Sequence, residues 1–177
     1  MPLVHRTLES LSYSLKDMDA IVVSLGPGSF TGIRIGLSTA LGLSKGSGIP
    51  CYGVDSLLSR IYPYEGKIRI PLMDARRGNV YGASYGVVEK EAFNGPFVEL
   101  IEELKASGSE EEILFIGEKL ENFHEDAQAL MNHRFLPAKE LAKGVIQAYQ
   151  EGKATRDLRP IYLREAEAKQ RLEAKGC

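Results

Sequence analysis

The 177-residue chain has no tryptophan, only two cysteines and almost no net charge. Because one of the cysteines, Cys177, is the last residue, Cys51 and Cys177 do not form the disulfide framework of a small secreted domain. No stretch approaches the roughly 18 consecutive apolar residues that span a bilayer. Glu9 interrupts the segment where a secretory signal needs an apolar run. These absences predict a soluble, cytoplasmic protein without a membrane partner.

The chain also has no excess of basic residues, since it contains 22 lysines and arginines and 24 aspartates and glutamates, which give a net charge of −2. Proteins that bind nucleic acid mainly through its phosphates usually present a strongly basic surface. We therefore expect any nucleic acid to be contacted indirectly, and a contribution from a local basic patch stays open.

Familiar catalytic and metal-binding patterns are absent as well. His5, His124 and His133 do not have the spacing of metal ligands. A Walker A loop ends in Gly-Lys-Ser/Thr, whereas this chain has Gly32-Ile33-Arg34 at that point. Ser29 lacks the flanking glycines of a hydrolase nucleophile elbow. The sequence predicts no metal site and no catalytic residue.

The most informative feature that is present is a glycine-rich turn, GPGSFTG, at residues 26–32. The apolar run at residues 20–25 predicts a buried strand before it, and residues 33–43 predict a helix after it. Glycines at the start of a helix can hold backbone amides around an anion, or can simply fit a tight turn. From the residues these two interpretations are about equal. The residues predicted to lie near an anion or nucleotide are Gly26, Gly28, Ser29, Thr31, Gly32 and Arg34.

The helix after the turn has small residues, Gly32, Gly36 and Ala40, at intervals of four. They lie on one helical face, where the lack of bulk permits close approach of another helix. That helix can belong to the same chain or to another polypeptide.

The remaining pattern predicts an α/β protein with two lobes. Turn-forming residues at 63–66 mark a boundary, which gives lobes at 1–64 and 65–163 and a helix or frayed tail at 164–177. Asp74, Arg76 and Arg77 fall at a hairpin turn, where we expect a structural role. The predicted elements are helices at 2–15, 57–62, 100–105, 120–130 and 138–150, and strands at 49–54, 68–72, 80–88 and 113–117.

Three motifs carry a resemblance to a known family. The run GPGSFTGIRIG at residues 26–36 resembles the signature of the bacterial TsaB family, also called YeaZ. DARRGNVY at residues 74–81 is similar to that family's second-lobe hairpin, and PIYLR at 160–164 to its closing motif. The motifs occur in the family's order.

The resemblance implies an actin-like ATPase fold, of the ribonuclease H-like class, and a non-catalytic scaffold that works in threonylcarbamoylation of tRNA. The implied partners are the catalytic paralogue TsaD and the ATPase TsaE, with TsaC supplying threonylcarbamoyl-adenylate and tRNA contacted only indirectly. In isolation the resemblance implies a homodimer without bound cofactor, and ATP or ADP only at an interface with partner subunits. Family dimers use the two corresponding helices, which implies an interface at Leu8, Leu11, Gly32, Gly36, Thr39, Ala40 and Leu43.

The chain departs from the family at its start. TsaB proteins begin with strands that carry an Asp-Thr-Ser turn, and this sequence lacks them. The N-terminal lobe is therefore expected to be incomplete. A misassigned start, a shortened chain and a divergent form all stay open. The alternative function is a small nucleotide-dependent phosphotransferase, with the turn around phosphate and Asp74 near magnesium. A glycoprotein peptidase is an old label of the family. The sequence has neither the metal site nor the nucleophile-base pair that this activity needs.

Overall fold

The computed structural model describes residues 2–138 and 141–163, which form seven strands and six helices. The predicted tail at 164–177 lies outside the described residues. The strands are β1 (Ile21–Gly26), β2 (Cys51–Asp55), β3 (Ile68–Arg76), β4 (Asn79–Gly86), β5 (Lys90–Pro96), β6 (Ile113–Gly117) and β7 (His133–Pro137). The helices are α1 (Pro2–Ser10), α2 (Phe30–Ser47), α3 (Leu58–Ile61), α4 (Phe97–Ala106), α5 (His124–Ala127) and α6 (Leu141–Gln150).

The first unit is a parallel pair of strands covered by one long helix. β1 and β2 run in register from Ile21 opposite Cys51, and α2 packs against β1. Parallel strands need a crossover connection, and α2 supplies it. The helix begins at Ser29, whose side chain accepts a hydrogen bond from the Gly32 amide, and ends at Gly48, whose φ of +78° suits a glycine C-cap.

The second unit is a mixed five-stranded sheet in the order β5-β4-β3-β6-β7. β4 is antiparallel to both β3 and β5, while β6 is parallel to β3 and β7. Alternate residues of β3, among them Ile68 and Ile70, are fully buried, and the rings of Phe97 and Phe115 meet edge to face at 5.5 Å. This face carries the largest hydrophobic core of the described residues.

Residues 153–163, the closing segment, return from the end of α6 to the first unit. Thr155 and Gly53 exchange two backbone hydrogen bonds of 2.8 and 2.9 Å, and the Ile161 amide donates to the Leu25 carbonyl at 2.8 Å. Leu158 and Ile161 pack against the core of β1 and α2. The closing segment therefore stabilises the first unit, although its residues were predicted to lie in the second lobe.

Most predicted elements are found, including the hairpin of β3 and β4 and the buried strand β6. The helix predicted at 2–15 is too long, because Ser12 has a φ of +58° and the Tyr13 amide caps the helix end by donating to the Leu8 carbonyl. The helix predicted at 120–130 is wrong for most of its length. Only residues 124–127 are α-helical, after a 3-10 turn at 121–123. Apolar residues three apart fit such turns as well as a helix.

Two strands, β5 and β7, were missed. β5 has the sequence KEAFNGP, which lacks apolar alternation and ends in Gly-Pro, and β7 has only five residues. Both lie at the edges of the sheet. Their backbone conformation follows from hydrogen bonding to β4 and β6, which a local pattern does not reveal.

A close contact between α3 and α6 gives a stability prediction. A Cβ at Gly144 would lie 1.8 Å from the Ser59 carbonyl oxygen, whereas one at Gly42, in the open part of α2, would meet no atom within 4 Å. We expect Gly144→Ala to lower the free energy of unfolding by about 1–3 kcal/mol through overpacking. Gly42→Ala, the matched control, should raise it by about 1 kcal/mol through helix propensity. Urea unfolding measures both, and equal stabilities would contradict the contact.

Candidate functional site

A cleft of about 480 Å³ lies between the two units. Its walls are the glycine-rich turn at residues 27–31, the hairpin of β3 and β4, and the end of the closing segment at residues 161–163. Volumes of roughly 300–1,000 Å³ are typical of small-ligand sites. The three motifs that carry the sequence resemblance thus meet around one cleft.

The turn is built by close backbone approach. Gly26 has a φ of +105°, and a Cβ there would lie 2.6 Å from the Ile161 carbonyl oxygen and 2.8 Å from Cδ1 of Ile33. Only glycine fits that position. A cis peptide bond joins Gly26 to Pro27. The Ser29 hydroxyl accepts from the Gly32 amide at 3.2 Å, and this places Ser29 as the cap of α2.

The six residues predicted to lie near an anion have different positions in the structure. Gly28, Ser29 and Thr31 line the cleft, while Gly26 lies behind it in the core. Gly32 is exposed in the first turn of α2. Anion binding by these residues stays a prediction.

Arg34, the sixth of these residues, joins α2 to the closing segment. Its guanidinium carbon lies 3.8 Å from the centre of the Phe30 ring, and its Nε donates to the Tyr162 hydroxyl at 3.0 Å. The rings of Phe30 and Tyr162 are themselves 4.9 Å apart. Stacking on an aromatic face is a favourable use of a guanidinium. Arg34 therefore helps to hold one wall of the cleft.

The hairpin contributes one carboxylate, Asp74, and one arginine, Arg76, to the opposite wall. Arg76 pairs with Asn79 across the strands, so that Arg77 and Gly78 form the tip. Asp74 Oδ1 accepts from the Arg76 backbone amide at 2.7 Å. Asp74 thus stabilises the backbone of the turn, which agrees with the structural role expected from the sequence.

A second group of ionisable residues lies where β2 ends. Asp55 caps α3 by accepting from the amides of Leu57 at 2.6 Å and Leu58 at 2.9 Å. Burial raises the pKa of the Asp55 carboxyl above 3.8, although these hydrogen bonds and Arg60 oppose the shift. Burial, with a smaller effect of Asp55, raises the pKa of Tyr85 to about 12. Burial also lowers the pKa of the Arg60 guanidinium, while the negative charges of Glu118 and Asp55 oppose this shift.

The raised pKa of Asp55 predicts a pH dependence of stability. Because the folded state holds the proton more tightly than the unfolded chain, the stability that Asp55 contributes is present below pH 3.8 and is lost as the pH rises through its folded pKa. Asn keeps the capping oxygen without the charge. We expect Asp55→Asn to gain stability relative to the wild type as the pH rises from below 3.8 through the raised folded pKa, measured by urea unfolding.

Asp17 provides a control of opposite sign. Hydrogen bonds from the Ser14 hydroxyl and amide lower the pKa of its carboxyl. The stability that Asp17 contributes is therefore present at neutral pH and lost as the pH falls, so Asp17→Asn should lose stability relative to the wild type as the pH rises. Parallel pH profiles for the two variants would contradict both assignments.

The residues predicted to bind a partner helix lie on different sides of the first unit. Leu11 is 60% exposed, whereas Ala40 is only 6% exposed and belongs to the chain's own core. A Cβ at Gly36 would lie 3.8 Å from Cγ2 of Val23 in β1, so this face of α2 turns partly toward the sheet. Gly32 is exposed, while half-buried positions are occupied by Leu8, Gly36, Thr39 and Leu43.

The open face of α2 is a neighbouring stripe that shares only Thr39 with the interface predicted from the sequence. We define the open stripe as Ile35, Thr39, Gly42 and Gly46, which follow one another at intervals of four, three and four. Ile35 is 62% exposed, and a Cβ at Gly42 or Gly46 would meet no atom within 4 Å. The four-residue spacing of the two glycines was the available signal.

Within residues 2–138 and 141–163, no three His, Cys, Asp or Glu side chains form a group that could hold a metal ion. The same part of the chain contains no helix of the length and apolarity that a membrane crossing requires.

Comparison with solved structures identifies the class of protein. An uncharacterised Pseudomonas aeruginosa protein with similarity to peptidase YEAZ superposes with a TM-score of 0.68 at 23% identity, over 92% of this chain and 82% of that one. YeaZ from Pseudomonas aeruginosa superposes with a TM-score of 0.61 at 21% identity, again over 92% of this chain and 82% of that one. With the cleft between two α/β units, these matches place the chain in the actin-like ATPase fold, as predicted.

Sequence comparison identifies the family. A family model described as "TsaD: tRNA N6-adenosine threonylcarbamoyltransferase" matches residues 1–150. The chain belongs to this family, and its named relatives are TsaB (YeaZ) proteins. TsaB of Escherichia coli K12 is 36% identical over 105 residues, covering 57% of this chain and 46% of its own. TsaB of Bacillus subtilis 168 is 41% identical over 88 residues, covering 48% and 38%. The chain spans less than half the length of these curated relatives.

Proposed function

We propose that this protein is a non-catalytic subunit in the biosynthesis of tRNA threonylcarbamoyladenosine, and that it acts by binding the catalytic paralogue TsaD. The relatives named for this process support the pathway. The finer assignment, a scaffold, is supported by the surface of the first unit.

The observation that carries the proposal is the exposure of large apolar side chains on α1 and α2. Leu3 is 78% exposed, and Leu11 and Ile35 are exposed to a similar degree. Single exposed apolar residues are ordinary, whereas several of them that form a contiguous patch are typical of an interaction surface. Burial of apolar area there would stabilise a complex by roughly 25 cal/mol for each Å².

The shapes of the two helices suit helix-to-helix docking. α1 is amphipathic, with Leu3, Val4 and Leu8 at helical spacing beside charged residues, and Leu11 follows just after its last residue. The open stripe of α2 has little side-chain bulk around Ile35, which allows a partner helix to come close. We propose that these surfaces bind TsaD in a heterodimer and a second copy of the chain when TsaD is absent. TsaE would join the heterodimer, in the cytoplasm, and tRNA would be brought to the catalytic subunit.

The cleft supports a proposal about nucleotide as well. Its volume is sufficient for one, but Asp74 is the only carboxylate among the described residues that line it, and that carboxylate binds a backbone amide. One engaged carboxylate fits magnesium-dependent phosphoryl transfer poorly. We propose that the isolated chain binds no nucleotide and that ATP or ADP is held only where partner subunits complete the cleft.

Matched charge substitutions test the interaction surface. We expect Ile35→Glu to abolish both self-association and TsaD binding, because it places a carboxylate in a desolvated contact. Val98→Glu, which changes a residue 49% exposed on α4, is the control and should bind like the wild type. Light scattering after size exclusion and a titration of purified TsaD measure the two effects.

The outcome against the proposal is equally specific. A folded Ile35→Glu variant that binds TsaD with wild-type affinity would remove α2 from the interface. Ala40 is a poor probe because it is buried, and a larger residue there would disturb the core rather than the contact.

Calorimetry with ATP and magnesium separates the scaffold from a phosphotransferase. We expect no binding heat at micromolar concentrations of the isolated chain, and binding once TsaD and TsaE are present. Micromolar binding with turnover by the chain alone would instead establish the phosphotransferase.

A further inference from the structure

The tip of the β3–β4 hairpin has an unusual sequence for its backbone. Arg76, Arg77 and Gly78 have φ values of +69°, +57° and +76°. Arg77 and Gly78 occupy the two central positions of the hairpin turn, where a positive φ is required at both. Glycine, asparagine and aspartate adopt this conformation with least strain, and arginine does not. Two successive arginines in left-handed backbone are therefore a poor choice for turn formation alone.

The local structure holds these arginines in place despite the strain. The Asp74 carboxylate accepts from the Arg76 amide at 2.7 Å, and the strand pairing is irregular between Asp74 and Arg76. Such a bulge redirects the side chains of a strand end. Arg76 thereby borders the cleft, while Arg77 is exposed at the tip.

The two guanidinium groups are available for a ligand. Within residues 2–138 and 141–163, no carboxylate lies within 4 Å of either guanidinium. Several other surface cations of the chain are engaged. Carboxylates pair with Lys67, Lys90, Arg134 and Arg159, and tyrosine rings contact Arg34 and Arg156. The hairpin tip thus holds two arginines beside the single carboxylate of Asp74, a local positive charge on a chain with a net charge of −2.

We propose that Arg76 and Arg77 form a contact site for the phosphate backbone of RNA. The planar guanidinium binds two phosphate oxygens at once, and two arginines in one turn offer two such donors to a phosphate backbone. The choice of RNA rests on the proposed function, since the named relatives act in tRNA modification. The site supplies orientation more than affinity, because two phosphate contacts without base contacts carry little sequence information.

This contact is compatible with the low net charge of the chain. A broad basic surface is needed when one protein supplies all the binding energy, whereas a subunit of a complex needs only to fix the position of a ligand held elsewhere. The hairpin tip would then guide a tRNA that the catalytic subunit binds. The chain would touch tRNA directly at this point, contrary to the expectation of indirect contact alone.

A double substitution, Arg76→Gly with Arg77→Asn, tests the site without damaging the turn. Glycine and asparagine suit left-handed backbone, so this variant should unfold at a higher urea concentration than the wild type. We expect it to bind an in vitro tRNA transcript more weakly, by roughly tenfold at low salt. The slope of log affinity against log salt concentration should fall by about 1–2, one unit for each lost phosphate contact.

The assay is fluorescence anisotropy of the labelled transcript with the full chain, alone and together with TsaD. Lys105→Ser with Lys153→Ser removes two cations, of α4 and the closing segment, for which the described residues show no ion pair, and is the matched control, which should keep the wild-type salt slope. An unchanged affinity and slope for the hairpin variant would overturn the proposal. So would displacement of the wild-type chain from RNA by polyglutamate at equal charge concentration, which would identify an acidic protein segment as the better ligand.

Two outcomes separate this proposal from the proposed function. A hairpin variant that binds TsaD normally but has lost its RNA salt slope supports the RNA site and leaves the scaffold intact. Conversely, Ile35→Glu should lose TsaD while its own RNA salt slope stays at the wild-type value. If Ile35→Glu binds TsaD and the hairpin variant still loses RNA, the scaffold surface fails and the RNA site stands.

Discussion

The structure depends on the place where the end of β1, the start of α2 and the closing segment come together without room for a side chain. Gly26 lies at this junction, with the Ile161 carbonyl oxygen where a Cβ would be. The adjoining hydrogen bond from the Ile161 amide to the Leu25 carbonyl fixes the closing segment on the strand. Residues far apart in the chain thereby form one wall of the cleft, and the aromatic contact of Arg34 with Tyr162 extends it. A larger residue at position 26 would separate these elements and open the cleft.

The first unit has a buried and an open side, and this division underlies the proposed role. Ile33, Leu37 and Ala40 hold α2 to its own strands, while Ile35 and the glycines of the open stripe remain available. A helix whose apolar residues all faced its own sheet would present no apolar surface for a partner to bury. The same physical driving force, burial of apolar surface, therefore serves folding on one side of α2 and association on the other.

The cleft and the hairpin illustrate how polar groups are assigned when few are present. Asp55 and Asp74 both accept backbone amides, which satisfies donors at a helix start and at a turn. Carboxylates engaged in this way stabilise the backbone at the positions that they cap. The arginines of the tip have no such engagement within the described residues. The turn requires positive φ values but does not require arginine, and the strain of arginine in this backbone is the reason for relating these residues to a ligand.

The sequence by itself determined the strand, turn and helix around residues 21–47 and the hairpin near Asp74, because these depend on neighbours close in the chain. It also carried the family resemblance, since all three motifs are local. Only the tertiary structure decided which face of α2 is open, because the position of β1 determines whether Gly36 or Gly42 meets solvent. Likewise β5 and β7 are strands through pairing with β4 and β6. Contacts between distant segments set these features, and no periodicity within one segment records them.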